Sequence, residues 1–357
     1  MAKKGFREKY IGKILSGKNI KELGSFVPYG ISTQSLCLDM AIGCPGIPGG
    51  RMTQIYGLDG CGKSSLCCHL LAEVQRMGGQ AVLFDTEDCY DLERAKRMGV
   101  NLNQLDLLEP DDLEEMLDML GDYTSDFYGD HEKDTPLLFI VDSMEGVMPR
   151  SMQEAGADDK FVGAAARLLG AHIPKILKNI CREHKATLVI VSQQYDKVGG
   201  TSWHGVQEKE VKGGRTIKYR ASLRLEIKAR QGQTNQIIDA TGSIMGYRNE
   251  MKIWKNKSAA PFVEADYWLT FDKGIDKYRD VYEAAVELGA LNPGGGGVVK
   301  GKIGKLEVEF RGKDNWPQYC DEYGGVDKFR RLLTRKAIRL NYIRDYGIEP
   351  ETETDKE

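Results

Sequence analysis

Gly57-Leu58-Asp59-Gly60-Cys61-Gly62-Lys63-Ser64 is the stretch on which the reading of this chain turns. It satisfies G-x-x-x-x-G-K-[ST] in full. Glycines at these positions let successive backbone N–H groups wrap phosphate oxygens, the lysine reaches the β- and γ-phosphates, and the terminal hydroxyl can ligate Mg²⁺. The flanks supply the context this chemistry needs. Thr53-Gln54-Ile55-Tyr56 reads as a strand before the loop, and Ser64 to Met77 as a helix after it. A nucleotide site is therefore expected, with Gly57, Leu58, Asp59, Gly60, Cys61, Gly62, Lys63, Ser64 and Ser65 at ATP.

Outward from the loop, Ala81-Val82-Leu83-Phe84-Asp85, Leu137-Leu138-Phe139-Ile140-Val141-Asp142 and Thr187-Leu188-Val189-Ile190-Val191 are short and nearly all apolar. Strands buried on both faces read this way, which predicts an α/β fold with a mainly parallel central sheet flanked by helices. Phe161 to Glu183 reads as largely helical, with a kink at Pro174. The alternation in Ser222-Leu223-Arg224-Leu225-Glu226-Ile227-Lys228 predicts a half-exposed strand toward a sheet edge. Met251-Lys252-Ile253-Trp254 reads as a second edge strand. Near the start, Arg7, Lys9, Lys13, Lys18 and Lys21 interleave with Ile11, Ile14, Leu15, Ile20 and Leu23, the pattern of an amphipathic helix. That gives an N-terminal helical segment over 1–30 and a core over 31–291. Asn292-Pro293-Gly294-Gly295-Gly296-Gly297 then reads as a flexible break. A small C-terminal α+β unit over 292–347 follows, with an acidic tail at 348–357 expected to be disordered.

Composition narrows the class. The chain has 357 residues, 41% of them hydrophobic and 29% charged, as in ordinary globular proteins. No apolar run approaches the roughly 18–20 residues of a membrane span. The basic N-terminus lacks a following apolar stretch, which argues against a secretory signal. None of the eight cysteines forms a C-x-x-C pair, so reduced thiols and a cytoplasmic location are expected. A net charge of −3 excludes coating of polyanions by bulk charge, though not a local nucleic-acid site.

Other residues carry chemistry by position. Asp142 ends an apolar strand where a Mg²⁺-directed carboxylate belongs, the alternative being a helix cap. Glu87, just past the strand ending in Asp85, is a candidate to activate water or else a solvated loop acid. Gln194 follows the strand Thr187 to Val191 and can contact a γ-phosphate or simply end the strand. The next loop, Tyr195 to Lys212, is long and rich in Gly and Lys, and it carries Trp203, which can stack on a nucleic-acid base or pack down as an anchor. Lys255 and Lys257, one residue apart, read on spacing alone as a solvated edge. Lys328 to Arg344 holds seven Lys/Arg and no acid, either a solvated helix face or a duplex-DNA patch.

Taken together, these stretches resemble the RecA-type DNA strand-exchange recombinases. Ile31-Ser32-Thr33-Gln34-Ser35-Leu36-Cys37-Leu38-Asp39 and Gly46-Ile47-Pro48-Gly49-Gly50-Arg51 are similar to that family's entry into the phosphate-loop strand. Phe84-Asp85-Thr86-Glu87 resembles the segment with its catalytic glutamate, and Val141-Asp142-Ser143 its metal-side strand end. The resemblance places Gln194 at the γ-phosphate-sensing glutamine and Phe271 near the base. In Lys255-Asn256-Lys257-Ser258-Ala259-Ala260-Pro261-Phe262 it implies two lysines that reach a neighbouring protomer's ATP. Gly213-Gly214, then Tyr219-Arg220-Ala221-Ser222, resembles the end of the DNA loop. Arg94 departs from the pattern, standing where the family has an adenine-stacking tyrosine, as do Ser192-Gln193 and the weakly similar Arg150 to Asp159.

The resemblance implies a RecA-like phosphate-loop ATPase core that filaments on single-stranded DNA, pairs it with duplex DNA and hydrolyses ATP at protomer interfaces. Catalysis would fall to Lys63, Glu87, Gln194, Lys255 and Lys257, Mg²⁺ to Ser64 and Asp142, the base to Arg94 and Phe271. DNA would meet Lys197, Gly199, Gly200, Trp203, Lys212, Gly213, Gly214 and Arg215. A ring-forming helicase or motor would share the core, and a nucleotide-switched filament protein would not need Glu87. A small-molecule kinase would share only the phosphate loop.

Overall fold

A computed structural model describes residues 27–88, 90–153, 163–201, 207–211, 214–230 and 232–344; for 196–201, 207–210 and 214 only the backbone is described. The N-terminal helix, the end of the first loop after Gln153, Trp203, Lys212, Gly213 and the acidic tail lie outside these residues.

The main sheet is built from β1 (Met52–Gly57), β2 (Gln80–Asp85), β3 (Leu105–Leu108), β4 (Leu137–Asp142), β5 (Thr187–Thr201), β6 (Leu223–Ala229), β7 (Ile244–Asn256), β8 (Glu264–Thr270) and β9 (Gly274–Ile275). Their order is β9-β8-β7-β6-β1-β5-β4-β2-β3. Strands from β3 through β6 pair in parallel, and β6 to β9 antiparallel. Two short strands, Gln207–Val211 on β5 and Gln236–Ile238 on β7, complete the eleven described in this sheet.

The continuous apolar runs have the cause predicted for them. Ala81, Leu83, Leu138, Ile140, Val189 and Val191 face one core with α2 (Lys63–Arg76) and α3 (Leu92–Arg97). Their alternates Val82, Phe84, Phe139, Val141, Leu188 and Ile190 face the other. There α4 (Leu113–Asp130) and α5 (Ala164–Ile176) cover them. Pro174 does disturb its helix, since the turns after it widen into a π-helical stretch, Leu177–Glu183.

Both edge-strand expectations fail. β6 and β7 lie inside the sheet, because β8 and β9 add outside them. The charged alternates of β6 are buried rather than solvated: Arg224 is 8% exposed and Glu226 4%. Arg224 donates to Gln54 Oε1 at 2.8 Å and lies over the Tyr56 ring at 4.7 Å. The Tyr195-to-Lys212 loop is partly a ladder, with Gln194, Tyr195 and Asp196 opposite Val211, Glu210 and Lys209.

Nor is the glycine run an open break. Leu291–Pro293 pairs with Val298–Ile303, and the connection at Gly295–Gly297 takes left-handed backbone at Gly296 and Gly297 that side chains disfavour. A third core spans this point. Leu36 and Met40 of α1 (Leu36–Ile42) and Val281 and Ala285 of α7 (Lys277–Glu287) join Trp316 of α8 (Trp316–Glu322). Phe329 and Leu333 of α9 (Val326–Arg339), the basic amphipathic helix, close it.

Candidate active site

The phosphate loop leaves β1 at the carboxyl edge of the parallel strands. Gly62 caps α2 in left-handed backbone, with φ of 90°, and no side chain caps that helix. Its first-turn N–H groups are therefore presented to an anion. The glycines are also dictated by space. A Cβ on Gly57 would stand 2.3 Å from Ile227 O, and one on Gly62 2.3 Å from Leu269 Cδ2. Asn249 on β7 braces the loop from below, donating through Nδ2 to Cys61 O at 2.9 Å.

Lys63 is buried, and its ammonium donates to Leu58 O at 2.9 Å and Gly57 O at 3.3 Å. Its ammonium is thus held over its own loop. The Ser64 hydroxyl lies beside the Asp142 carboxylate. Burial pushes the Asp142 carboxyl up, the neighbouring Ser64 hydroxyl opposes that, and the charge of Glu87 adds to it.

Parallel register sets the two carboxylate strands side by side, with Asp85 opposite Asp142. Glu87 follows Asp85 by two residues and accepts a short hydrogen bond from Ser143 Oγ. Asp85 shapes that turn by accepting from Glu87 N at 3.3 Å and Tyr90 N at 2.9 Å. Glu87, Asp142, Ser64 and Lys63 thus belong to one locale.

Arg94 and Phe271 come together on the outer side of the loop. Arg94 donates to Phe271 O at 3.0 Å and Ser65 Oγ at 2.8 Å, so its guanidinium is fixed in plane. Phe271 meets Tyr247 edge-on at 5.5 Å between centroids. With Gly60, Gly62, Lys63, Ser64 and Ser65, these three residues line one cleft.

Gln194 stands beyond the end of β1 and donates to Glu226 Oε1 at 3.1 Å. The second oxygen of Glu226 accepts from Trp254 Nε1 at 2.7 Å and from Lys228 Nζ at 3.1 Å. Burial pushes the Glu226 carboxyl up, but the bonds from Trp254, Gln194 and Lys228 outweigh it and hold it below the ordinary range.

Lys255 and Lys257 are not brought to this cleft. Lys255 is in register with Arg224, and Arg224 with Gln54, so both lysines leave the sheet where the parallel strands begin. The Lys255 ammonium donates to Tyr219 O at 2.7 Å and Lys218 O at 3.3 Å, the closing turn of α6 (Gly214–Arg220). Burial, then the charges of Lys257 and Arg224, lowers its pKa. Arg215 lies on α6, and Lys197, Gly199 and Gly200 lie on β5 between the paired Asp196 and Thr201.

Sequence reasoning missed Asp85, Ser143, Tyr247, Asn249 and Glu226 as site residues. Asp85 and Ser143 were quoted with their neighbours, but the others act across strands whose order no local pattern carries.

The RecA N-terminal domain family matches residues 9–276. Among relatives, "Protein RecA" of Desulforapulum autotrophicum is 34% identical over 265 residues, 74% of this chain and 72% of that protein. "Protein RecA" of Lactiplantibacillus plantarum is 32% identical over 327 residues, covering 91% and 79%. "Protein RecA" of Aquifex aeolicus is 33% identical over 265 residues, covering 74% and 72%. A match of this length, taking in the phosphate loop, both carboxylate strands and the antiparallel extension in one order, makes the chain a member of the RecA family of ATP-dependent recombinases.

Proposed function

We propose that the chain assembles head to tail on single-stranded DNA and hydrolyses ATP at each junction, one protomer giving the phosphate loop and its neighbour Lys255 and Lys257. The observation carrying this reading is that the loop leaves the sheet where its parallel strands end, while the lysines leave antiparallel β7 at the opposite edge, where those strands begin. A head-to-tail contact joins unlike surfaces and can repeat without closing.

Within a junction, the α2 N-terminus and Lys63 bind the phosphates, and Glu87 orients and deprotonates water while Ser143 steadies it. Ser64 and Asp142 fit Mg²⁺, because a hydroxyl and a carboxylate are hard oxygen ligands. Such an ion supplies charge neutralisation on the transferred phosphoryl group. Arg94 and Phe271 hold the base between a guanidinium and a ring. Lys197, Gly199, Gly200, Trp203, Lys212, Gly213, Gly214 and Arg215 serve the single strand, with duplex DNA as second substrate. Among the described residues no helix is long and apolar enough to cross a membrane.

ATP turnover measured with and without a single strand, alongside electron micrographs, tests the whole reading. Stimulated turnover with helical filaments is expected. Closed rings, or turnover indifferent to DNA, would overturn it.

A further inference from the structure

The buried acid of β6 has no place in the chemistry above, yet it holds three elements at once. Glu226 takes Gln194 on one oxygen and Trp254 on the other. Gln194 lies within β5 and pairs with Val211 as the first rung of the ladder with Gln207–Val211, and Trp254 directly precedes Lys255. Trp254 is also the residue at which the β6–β7 register shifts: Ile253 pairs with Leu225 and Lys255 with Arg224, which leaves Trp254 as the extra residue of a bulge. Bulges re-aim a side chain, and here the indole N–H is turned onto the carboxylate. The ring itself is 41% exposed, with Lys252 over it at 4.8 Å and Phe262 edge-on at 6.4 Å.

The amide of Gln194 is only half used in this arrangement. Its nitrogen is committed to Glu226, while its buried oxygen has no hydrogen-bond partner among the described residues. Buried polar atoms are rarely left so, and this oxygen leaves the amide room for a second partner. A charged acceptor holds an amide more tightly than a neutral one does. The carboxylate therefore biases Gln194 toward β6.

We propose that Glu226 is a positioning residue that holds Gln194 off the nucleotide and, through the Trp254 indole, ties that hold to the strand end bearing the interface lysines. The inference rests on the reading of Gln194 as the γ-phosphate contact. ATP must then draw Gln194 from Glu226, and whatever weakens that hydrogen bond lowers the ATP concentration required. Trp254 acts in the opposite sense. Its N–H shares the charge of Glu226, so removing that donor concentrates the charge on Gln194 and raises the requirement.

Two conservative variants with opposite expected signs test this, since plain structural damage would move both the same way. Affinity for an ATP analogue carrying a ribose fluorophore is measured on the full chain without DNA. Glu226→Gln should tighten it about three- to tenfold, the change expected when one charge-assisted hydrogen bond becomes neutral. Trp254→Phe, which keeps a ring but not the donor, should weaken it. In a Gln194→Ala background neither change should alter affinity. A Glu226→Gln effect that persists without Gln194 would be a direct charge effect on the nucleotide and would overturn the proposal. So would equal affinity with Gln194 present, or both variants shifting together. ATP-dependent binding of the Gln194→Ala protein to a fluorescent oligothymidylate separates the underlying reading. Loss of the ATP response there, with no Glu226 effect, sinks only the present inference. A fully retained ATP response would sink the Gln194 assignment and this inference with it.

Discussion

Lys63 and Glu87 differ in what their loss should remove. Lys63 supplies charge to bound phosphate, so Lys63→Ala should lose turnover together with much of the ATP affinity. On the proposed reading Glu87 meets water rather than the phosphates, and Glu87→Gln keeps the shape and the Ser143 partner. ATP affinity should hold within a few-fold while kcat falls about 10²–10⁴-fold, the usual reach of a general base. Filter binding and a coupled phosphate assay on both variants check this. Equal loss of affinity in the two would deny Glu87 the role of base. Asn249 belongs to the same scale because it acts through a single bond. Asn249→Ala strands the buried Cys61 carbonyl, which should cost about 1–3 kcal/mol. Thermal melts with and without ATP should show a smaller nucleotide-induced rise in Tm than wild type.

At the scale of elements, His69 joins two, α2 and β9, to the turn before α1. Lying on α2, it pairs through Nδ1 with Gln34 Oε1 at 3.1 Å, while Nε2 accepts from Ile275 N of β9 at 2.9 Å. One ring nitrogen must donate and the other accept, so the neutral imidazole is built in. A Cβ on Gly274 would stand 2.1 Å from Nε2, and only a glycine lets the strand approach. Burial, then Lys277 and Arg330, lowers the His69 pKa to about 3. The folded pKa is depressed, so the stabilisation is complete above the unfolded value near 6.5 and is lost as pH falls toward 3. Asp39 and Asp280, pushed up by burial to about 7 and about 6, work in the opposite sense. Comparison with His69→Gln isolates the imidazole. Urea midpoints should show the wild-type advantage shrinking by about 2 kcal/mol between pH 7 and pH 5. An unchanged difference would refute it.

Elements also divide what the sequence discloses from what it withholds. Phosphate binding needs contiguous residues, so the loop from Gly57 to Ser64 is legible without any fold. Strands buried on both faces are legible for the same reason, since burial writes itself along one segment. Glu226 is the contrary case. Its alternation with Leu225 and Ile227 reads as a solvated face, because the partners that bury it come from Gln194 and Trp254 on other strands. Strand order decided the matter, since β7, β8 and β9 follow β6 in the chain and add outside it one after another, which no pattern within β6 announces.

The whole molecule is where action between protomers is tested. Lys255→Ala should abolish DNA-stimulated turnover while the isolated protomer still binds nucleotide. Mixed with Lys63→Ala protein, it should recover part of the activity, because one junction in such a mixture can pair an intact loop with intact lysines. Electron micrographs of tagged mixtures establish that both variants share filaments. No recovery in such filaments would exclude supply from the neighbour.

The bond from the Lys255 ammonium to Tyr219 O gives such a polymer a direction. On the proposed reading, every interior protomer gives that bond up to serve its neighbour, whereas the protomer at one terminus keeps it. The opposite terminus carries a phosphate loop with no lysines laid across it. Two chemically unlike tips follow from identical subunits. Hydrolysis at the last junction then releases a subunit that can refold its lysine onto itself, so shedding should run faster from one tip than from the other.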